Sequence, residues 1–272
     1  STTSIIVAMV TAGTLKMDLA VPMILGANIG TSVTSSLVAF GHIGKRKEYR
    51  RAVAAATMHD FFNILMVAII LPLELFFKVL SKPATFLASK IPFSTAEVST
   101  KAFNPLKYTV KPVIGQIKSI FNSEWLGDSY IWVWLAISLV LLFFALKGLS
   151  SIFKSKIEED ITDEEKQQDI FKSNGSSLGW GFGLTVLVQS SSITSSLIVP
   201  FVAAKKITLG KAFPFLMGAN IGTTTTALIA SILAASDTPI EGKIAGLSIA
   251  LVHLFFNLYG VGLFFPNRTI RT

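Results

Sequence analysis

The sequence predicts an all-α polytopic membrane protein built from two inverted-topology repeats, with broken helices or re-entrant hairpins. Three observations carry that prediction: a deficit of charge, a series of long uncharged runs, and an internal repeat whose loops differ in sign. Of the 272 residues, 15% are charged and 51% hydrophobic, and mean hydropathy is +0.61. A soluble domain carries about 25% charged residues. The composition therefore excludes an ordinary soluble globule, a disordered chain and a nucleic-acid-binding protein. The formal net charge of +8 reports topology before partners, because basic residues collect in the cytoplasmic loops of membrane proteins. The chain has no cysteine, so disulfides, thiol nucleophiles and thiolate metal sites are absent. It opens at Ser1 inside an apolar segment with no Met and no basic flank, and so reads as trimmed, with no signal peptide legible.

Residues 1–15, 19–44, 61–73, 129–146, 173–204, 212–236 and 244–267 contain no Asp, Glu, Lys or Arg. A spanning helix needs about 20 mostly apolar residues, and most of these runs reach that length. Several hold clusters of Ser, Thr, Asn and Gly, tolerated at membrane depth where they face a bundle interior or a wet cavity. In order, residues 1–80 form the first transmembrane repeat, truncated at its N-terminus. Residues 81–128, with Pro83, Pro92, Pro105 and Pro112, form an extramembrane excursion carrying a surface helix. Residues 129–153 make a transmembrane helix, 154–176 a charged cytoplasmic linker, and 177–267 the second repeat.

The repeat is the most informative feature. Gly26-Ala27-Asn28-Ile29-Gly30-Thr31 returns 192 residues later as Gly218-Ala219-Asn220-Ile221-Gly222-Thr223. The same shift pairs Pro22 with Pro214, and Thr2-Thr3-Ser4 with Thr194-Ser195-Ser196. Downstream, His59-Asp60-Phe61-Phe62-Asn63 matches His253-Leu254-Phe255-Phe256-Asn257 at a shift of 194. Between these blocks the first half carries Lys45, Arg46, Lys47, Arg50 and Arg51 against Glu48, a net +4. The second half carries Asp237 and Glu241 against Lys243, a net −1. The positive-inside rule places loop 44–51 in the cytoplasm and the second loop outside, which inverts the halves. Threading the rest puts the C-terminus inside, beside Arg268 and Arg271. Lys205, Lys206 and Lys211 join that side if 177–204 is a re-entrant hairpin.

Gln189-Ser190-Ser191-Ser192-Ile193-Thr194-Ser195-Ser196 presents six hydroxyls in eight residues without a charge. Hydroxyls, a carboxamide and free backbone N–H groups suit an oxyanion, and hydroxyl or carbonyl oxygens suit a hard cation. With no Lys or Arg in the segment, co-bound cations and helix N-termini must supply the positive field. The bland alternative, Ser and Thr gluing helices together, loses ground because the cluster is duplicated. Both Gly-Ala-Asn-Ile-Gly blocks satisfy small-xxx-small packing. Glycines that unwind a helix ahead of oxygen ligands would also account for Asn28, Asn220, Thr31 and the threonine run 223–226. Asp60 shares a helical face with Asn63 and is a functional candidate at membrane depth; its bland reading is an ion pair with Arg50 or Arg51. His59 and His253 read as interhelical hydrogen-bonding groups. A Ser hydrolase lacks a Gly-x-Ser-x-Gly elbow, three His and no Cys give no transition-metal spacing, and a hydroxyl-lined channel stays open.

Taken together, these blocks resemble the type II sodium-dependent phosphate cotransporter family, over roughly residues 1–73 and 175–266. The family's duplicated Gln-Ser-Ser-Ser motif stands intact at 189–192, and Ser1-Thr2-Thr3-Ser4 matches the residues just after its first copy. The resemblance implies a non-enzymatic, Na⁺-coupled symporter of inorganic phosphate, working by alternating access in the cell membrane. Its partners are phosphate, Na⁺ and membrane lipid; homo-oligomerisation is left open, and no cofactor is implied beyond Na⁺ as coupling ion. Carried over by motif, Ser190, Ser191 and Ser192, with Ser1 and Thr2 from the first half, contact phosphate. Gln189, Ser190, Thr223 and Thr226 hold Na⁺; Asp60, of the electrogenic type, and Asn63 join them; and Asn28, Thr31 and Asn220 support the site. Ala219, His42 and Lys45 depart from the Ser, Gln and Asp of animal members. The absence of the Cys-bearing loop of those members implies a bacterial protein. A channel and a symporter of another oxyanion are the rival readings.

Overall fold

A hydroxyl run with no charge can fold as one long helix or break into two short ones, and residues 173–204 break. Ser173 caps the first piece, its hydroxyl accepting from the backbone N–H of Ser176 at 3.1 Å. Gln189 ends that piece in the left-handed region at φ 56°. Ser190 then caps the second piece from an extended conformation, accepting from Ile193 N–H. Pieces of 15 and 13 residues are each too short to span a bilayer alone.

The computed structural model describes residues 2–31, 33–91, 169–234 and 238–265, with 133 and 137 as isolated positions. One unit comprises Ser1–Ile91 and Lys156–Thr272, and a second comprises Pro92–Ser155; every helix named below belongs to the first. Apart from positions 133 and 137, the helix expected at 129–153, the excursion beyond residue 91 and the linker up to residue 168 lie outside the described residues. All regular structure among the described residues is helical. The helices are α1 (Thr2–Thr11), α2 (Met17–Gly30), α3 (Val33–Phe40), α4 (Arg46–Phe77), α5 (Ser81–Lys90), α6 (Asn174–Val188), α7 (Ser191–Ala203), α8 (Leu209–Ala234) and α9 (Ile240–Phe264).

Among the described residues, four segments are long and apolar enough to cross a membrane: Met17–Phe40, which covers α2 and α3, Arg46–Phe77, Leu209–Ile232 and Ile240–Phe264. Their outward side chains include exposed Leu37, Phe61, Phe76 and Ile232, apolar surface of the kind lipid covers. The core between them is mostly aliphatic, with a few clustered phenylalanines. Phe215 and Phe256 are buried, and Phe62 meets Phe213 and Phe264 edge-on at centroid distances of 5.6 and 5.4 Å. The short helices cross over: α7 packs on α3 and α4 of the first half as well as on α8, and α1 packs on α8 and α9 of the second half as well as on α2.

One expectation fails here. The glycines of the second copy do not unwind their helix, since α8 runs unbroken through 218–222; in the first copy α2 ends at Gly30, directly ahead of Thr31, and α3 starts at Val33. In the second half the packing reading holds instead. A Cβ at Gly218 would collide with the Leu178 carbonyl, one at Gly222 with Thr185, and one at Gly181 with the Phe215 carbonyl. Helices α6 and α8 therefore touch backbone to backbone, as small residues permit. Gly26 and Gly30, identical in sequence, have nothing within 4 Å of a Cβ.

The α4–α5 corner is held by charge. Lys78 caps α4 at φ 55°, and the buried Glu74 carboxylate accepts from Leu80 N–H at 2.6 Å and from Ser81 N–H. Lys78 Nζ lies 3.0 Å from Asp18 Oδ1, and that carboxylate raises the ammonium pKa. A raised folded-state pKa means the pair's contribution is present below the amine's ordinary pKa and fades as pH climbs through the raised one.

Candidate functional site

Two buried polar systems join the halves of the repeat. In the first, each half's histidine reaches the other half's asparagine. His59 Nε2 faces Asn220 Oδ1 at 2.9 Å, and His253 Nε2 faces Asn28 Oδ1 at 3.3 Å. An amide oxygen only accepts, so both histidines donate through Nε2. Asn220 Nδ2 donates to Asn63 Oδ1 at 2.8 Å, and Asn63 Nδ2 donates to the Asn28 carbonyl at 3.0 Å. A single relay thus ties α4 and α8 to α2 and α9, with all five side chains buried. Interhelical hydrogen bonding, the sequence reading for both histidines, is what the structure has.

The second system is the hydroxyl seam. Ser192 Oγ donates to the Thr31 carbonyl at 3.2 Å, Ser35 and Ser195 meet through their hydroxyls at 3.1 Å, and Ser36 Oγ donates to Asp60 Oδ2 at 3.2 Å. Helix α7 places Ser192 and Ser195 three residues apart on one face, where they meet the α2 end and α3. Asp60 is no partner of Arg50 or Arg51: Arg51 Nε donates instead to the Ala203 carbonyl at 2.7 Å, at the C-terminal end of α7. The other Asp60 oxygen, Oδ1, is buried without a partner. A buried carboxylate oxygen with free lone pairs is an acceptor for a hard cation, and Ser36 supplies an adjacent hydroxyl oxygen.

The residues singled out in the sequence fall into three groups. Ser190 and Ser191 stand at the N-terminal end of α7, Ser191 buried, where the first N–H groups of a helix have no intrahelical acceptor. Ser192, Thr31, Asp60, Asn63, Asn28 and Asn220 are held in the two systems above. Gln189 is exposed with its amide turned to the Val186 carbonyl, Thr223 donates to the Ala219 carbonyl, and Thr226 is half-buried. Among the described residues no hydrogen bond joins those three to the seam. Thr2 is exposed at the start of α1, and Ser1 lies outside the described residues.

Sequence reading did not single out Ser35 and Ser36. The signal was available by subtraction: at a shift of 192 their counterparts are Ala227 and Leu228, and at the shift of 194 the counterpart of Asp60 is Leu254. The polar surplus of the first half converges on one place.

The Na⁺/Pi-cotransporter family profile matches residues 1–88 and 141–271. The chain belongs to this family. It is 31% identical to rat sodium-dependent phosphate transport protein 2A, covering 100% of the chain and 52% of that protein. It is 32% identical to the mouse protein 2A over 100% of the chain and 52% of that relative. To human sodium-dependent phosphate transport protein 2B it is 30% identical over 98% of the chain and 50% of the relative. The chain thus spans about half the length of the curated relatives it matches. No solved structure matches it. The matched stretches of this family member contain both repeats, including the seam and the His–Asn relay.

Proposed function

We propose that this protein is a Na⁺-coupled symporter of inorganic phosphate, electrogenic and working by alternating access, with the α7 hydroxyl run as its phosphate site. The observation that carries the reading is the seam. An oxygen-rich helix start from one half bonds the Thr31 turn and α3 of the other, and α3 in turn bonds the Asp60 carboxylate through Ser36, in a member of the Na⁺/Pi-cotransporter family. Ser190, Ser191 and Ser192, with the free N–H groups of the first turn of α7, present donors to an oxyanion without a fixed positive charge. Asp60 and Asn63 offer a cation its oxygens from the adjoining helix, and the co-bound Na⁺ offsets the phosphate charge. Gln189, Thr223 and Thr226 are taken as Na⁺ ligands on the family motif, and reaching the seam would require them to turn from their present partners. Ser1 and Thr2 extend the phosphate site from the first half on the same motif.

The two half-length pieces α6 and α7, hinged at Gln189, support a re-entrant hairpin. The reciprocal packing of α7 and α1 on opposite halves supports inverted repeats. Arg51 on the Ala203 carbonyl puts Lys205, Lys206 and Lys211 at the same end as loop 44–51. That agrees with one basic, cytoplasmic face.

Ser191→Ala and Gln189→Ala each abolish Na⁺-dependent phosphate uptake on this reading. Radiolabelled phosphate uptake in proteoliposomes, compared at equal protein incorporation, decides it; uptake at the unsubstituted rate in either variant refutes the site assignment.

A further inference from the structure

We infer that one end of the bundle is a binding face for anionic phospholipid headgroups, assembled from both halves of the repeat. Arg51 Nε on the Ala203 carbonyl, at 2.7 Å, clamps the start of α4 to the end of α7. That single contact brings two basic segments together. Lys45, Arg46, Lys47 and Arg50 come from the α3–α4 turn and the first two turns of α4; Lys205, Lys206 and Lys211 come from the α7–α8 turn and the first turn of α8. All seven are exposed.

Among the described residues of these two segments the acid is Glu48, and it is engaged: its carboxylate lies 3.2 Å from Lys45 Nζ and 3.5 Å from His42 Nδ1. Arg46, Lys47, Arg50, Lys205, Lys206 and Lys211 form no ion pair among the described residues. Apolar side chains border them, with Phe40 55% and Ile43 67% exposed. These cations sit at the ends of spanning helices α4 and α8, so they lie where a bilayer presents its phosphates. Basic clusters next to a spanning helix concentrate anionic lipid, each Lys or Arg contributing a severalfold preference. Retention of basic residues on one side explains their sign but not their convergence. The Arg51 clamp supplies that convergence, and the exposed Phe40 and Ile43 give acyl chains apolar surface beside the headgroups. The chemistry recognised is a phosphodiester with its acyl chains, not free phosphate.

The absence of cysteine makes the test direct. The full chain carrying Ile43→Cys takes one environment-sensitive fluorophore. It is reconstituted in phosphatidylcholine vesicles containing a minor fraction of phosphatidylglycerol, with bromine on the acyl chains of one lipid or the other. Brominated phosphatidylglycerol should quench the label several times more per bromine than brominated phosphatidylcholine. The same label on Ile232→Cys, at the opposite end of α8, should show no such preference. Lys205→Gln, Lys206→Gln and Lys211→Gln together should bring the preference close to parity, and added salt should weaken it. If that triple variant does not fold, Lys47→Gln with Arg50→Gln carries the same expectation from the other half. Equal quenching by both lipids at residue 43, or a preference unchanged by the charge substitutions, overturns the inference. A preference abolished by inorganic phosphate at unchanged ionic strength also overturns it and assigns the face to a free oxyanion. The readout involves no transport, so it stands apart from the symport reading.

Discussion

Asn63 and Asn257 occupy the same place in the repeat yet make different bonds. Asn63 bridges Asn220 and the Asn28 carbonyl, whereas Asn257 Nδ2 bonds the His253 carbonyl of its own helix and leaves Oδ1 without a partner. Removing Asn63 strands a buried amide and a buried carbonyl on other helices. Asn63→Ala is therefore expected to cost about 1–2 kcal/mol more than Asn257→Ala. Thermal unfolding of the two variants in one detergent checks this, and equal losses would show that the relay contributes nothing. Asp60 is the second residue-level asymmetry. On the proposed reading Asp60 is a Na⁺ ligand whose loss removes one cation, so Asp60→Gly should keep phosphate uptake while abolishing phosphate-evoked current across reconstituted membranes. An undiminished current sinks the electrogenic role. The sequence made Asp60, Asn63 and both histidines legible because they sit in matched blocks. Their partners were not legible: spacing along a helix identifies a face, but only the crossing of helices says which Asn meets which His. The alternative reading of Asp60, a pair with Arg50 or Arg51, was equally consistent with spacing and fails because Arg51 is spent on a helix end.

At the scale of elements, identical glycine blocks do different jobs. Gly218 and Gly222 are pressed against α6, and Gly26 and Gly30 face open space. A methyl group at the first pair must push two helix backbones apart. Gly218→Ala and Gly222→Ala are thus expected to cost about 1–3 kcal/mol or more. Gly26→Ala and Gly30→Ala should be neutral or slightly stabilising, since alanine is the better helix former. Unfolding midpoints for the four variants separate the two cases, and similar losses at all four would contradict the packing difference. The small-xxx-small spacing was visible in the sequence, and so was the hydroxyl run that breaks at Gln189. What the sequence could not supply is whether a glycine is used for close approach or for unwinding, because both need the same missing Cβ. Only the neighbouring helix decides, and α6 decides it for one copy.

For the whole molecule, the two halves are alike in sequence and unlike in what they contribute. Each lends a short helix to the other's long ones, which is legible from the repeat once the packing is known. The surplus hydroxyls of Ser35 and Ser36 and the charge of Asp60 belong to the first half alone; Ser35 meets the hydroxyl run of the second, and Ser36 beside it holds Asp60. A site made this way changes whenever the halves move relative to each other, which is the physical requirement for coupling one solute's passage to another's. The chain's membership of the Na⁺/Pi-cotransporter family names the solutes to try. The decisive measurement is accumulation of radiolabelled phosphate in proteoliposomes of this protein under inward Na⁺, K⁺ or H⁺ gradients of equal size. Accumulation above the external concentration with Na⁺ alone is the predicted result. Phosphate entry that is indifferent to the cation, or that never exceeds equilibrium, would mark a channel and contradict the account.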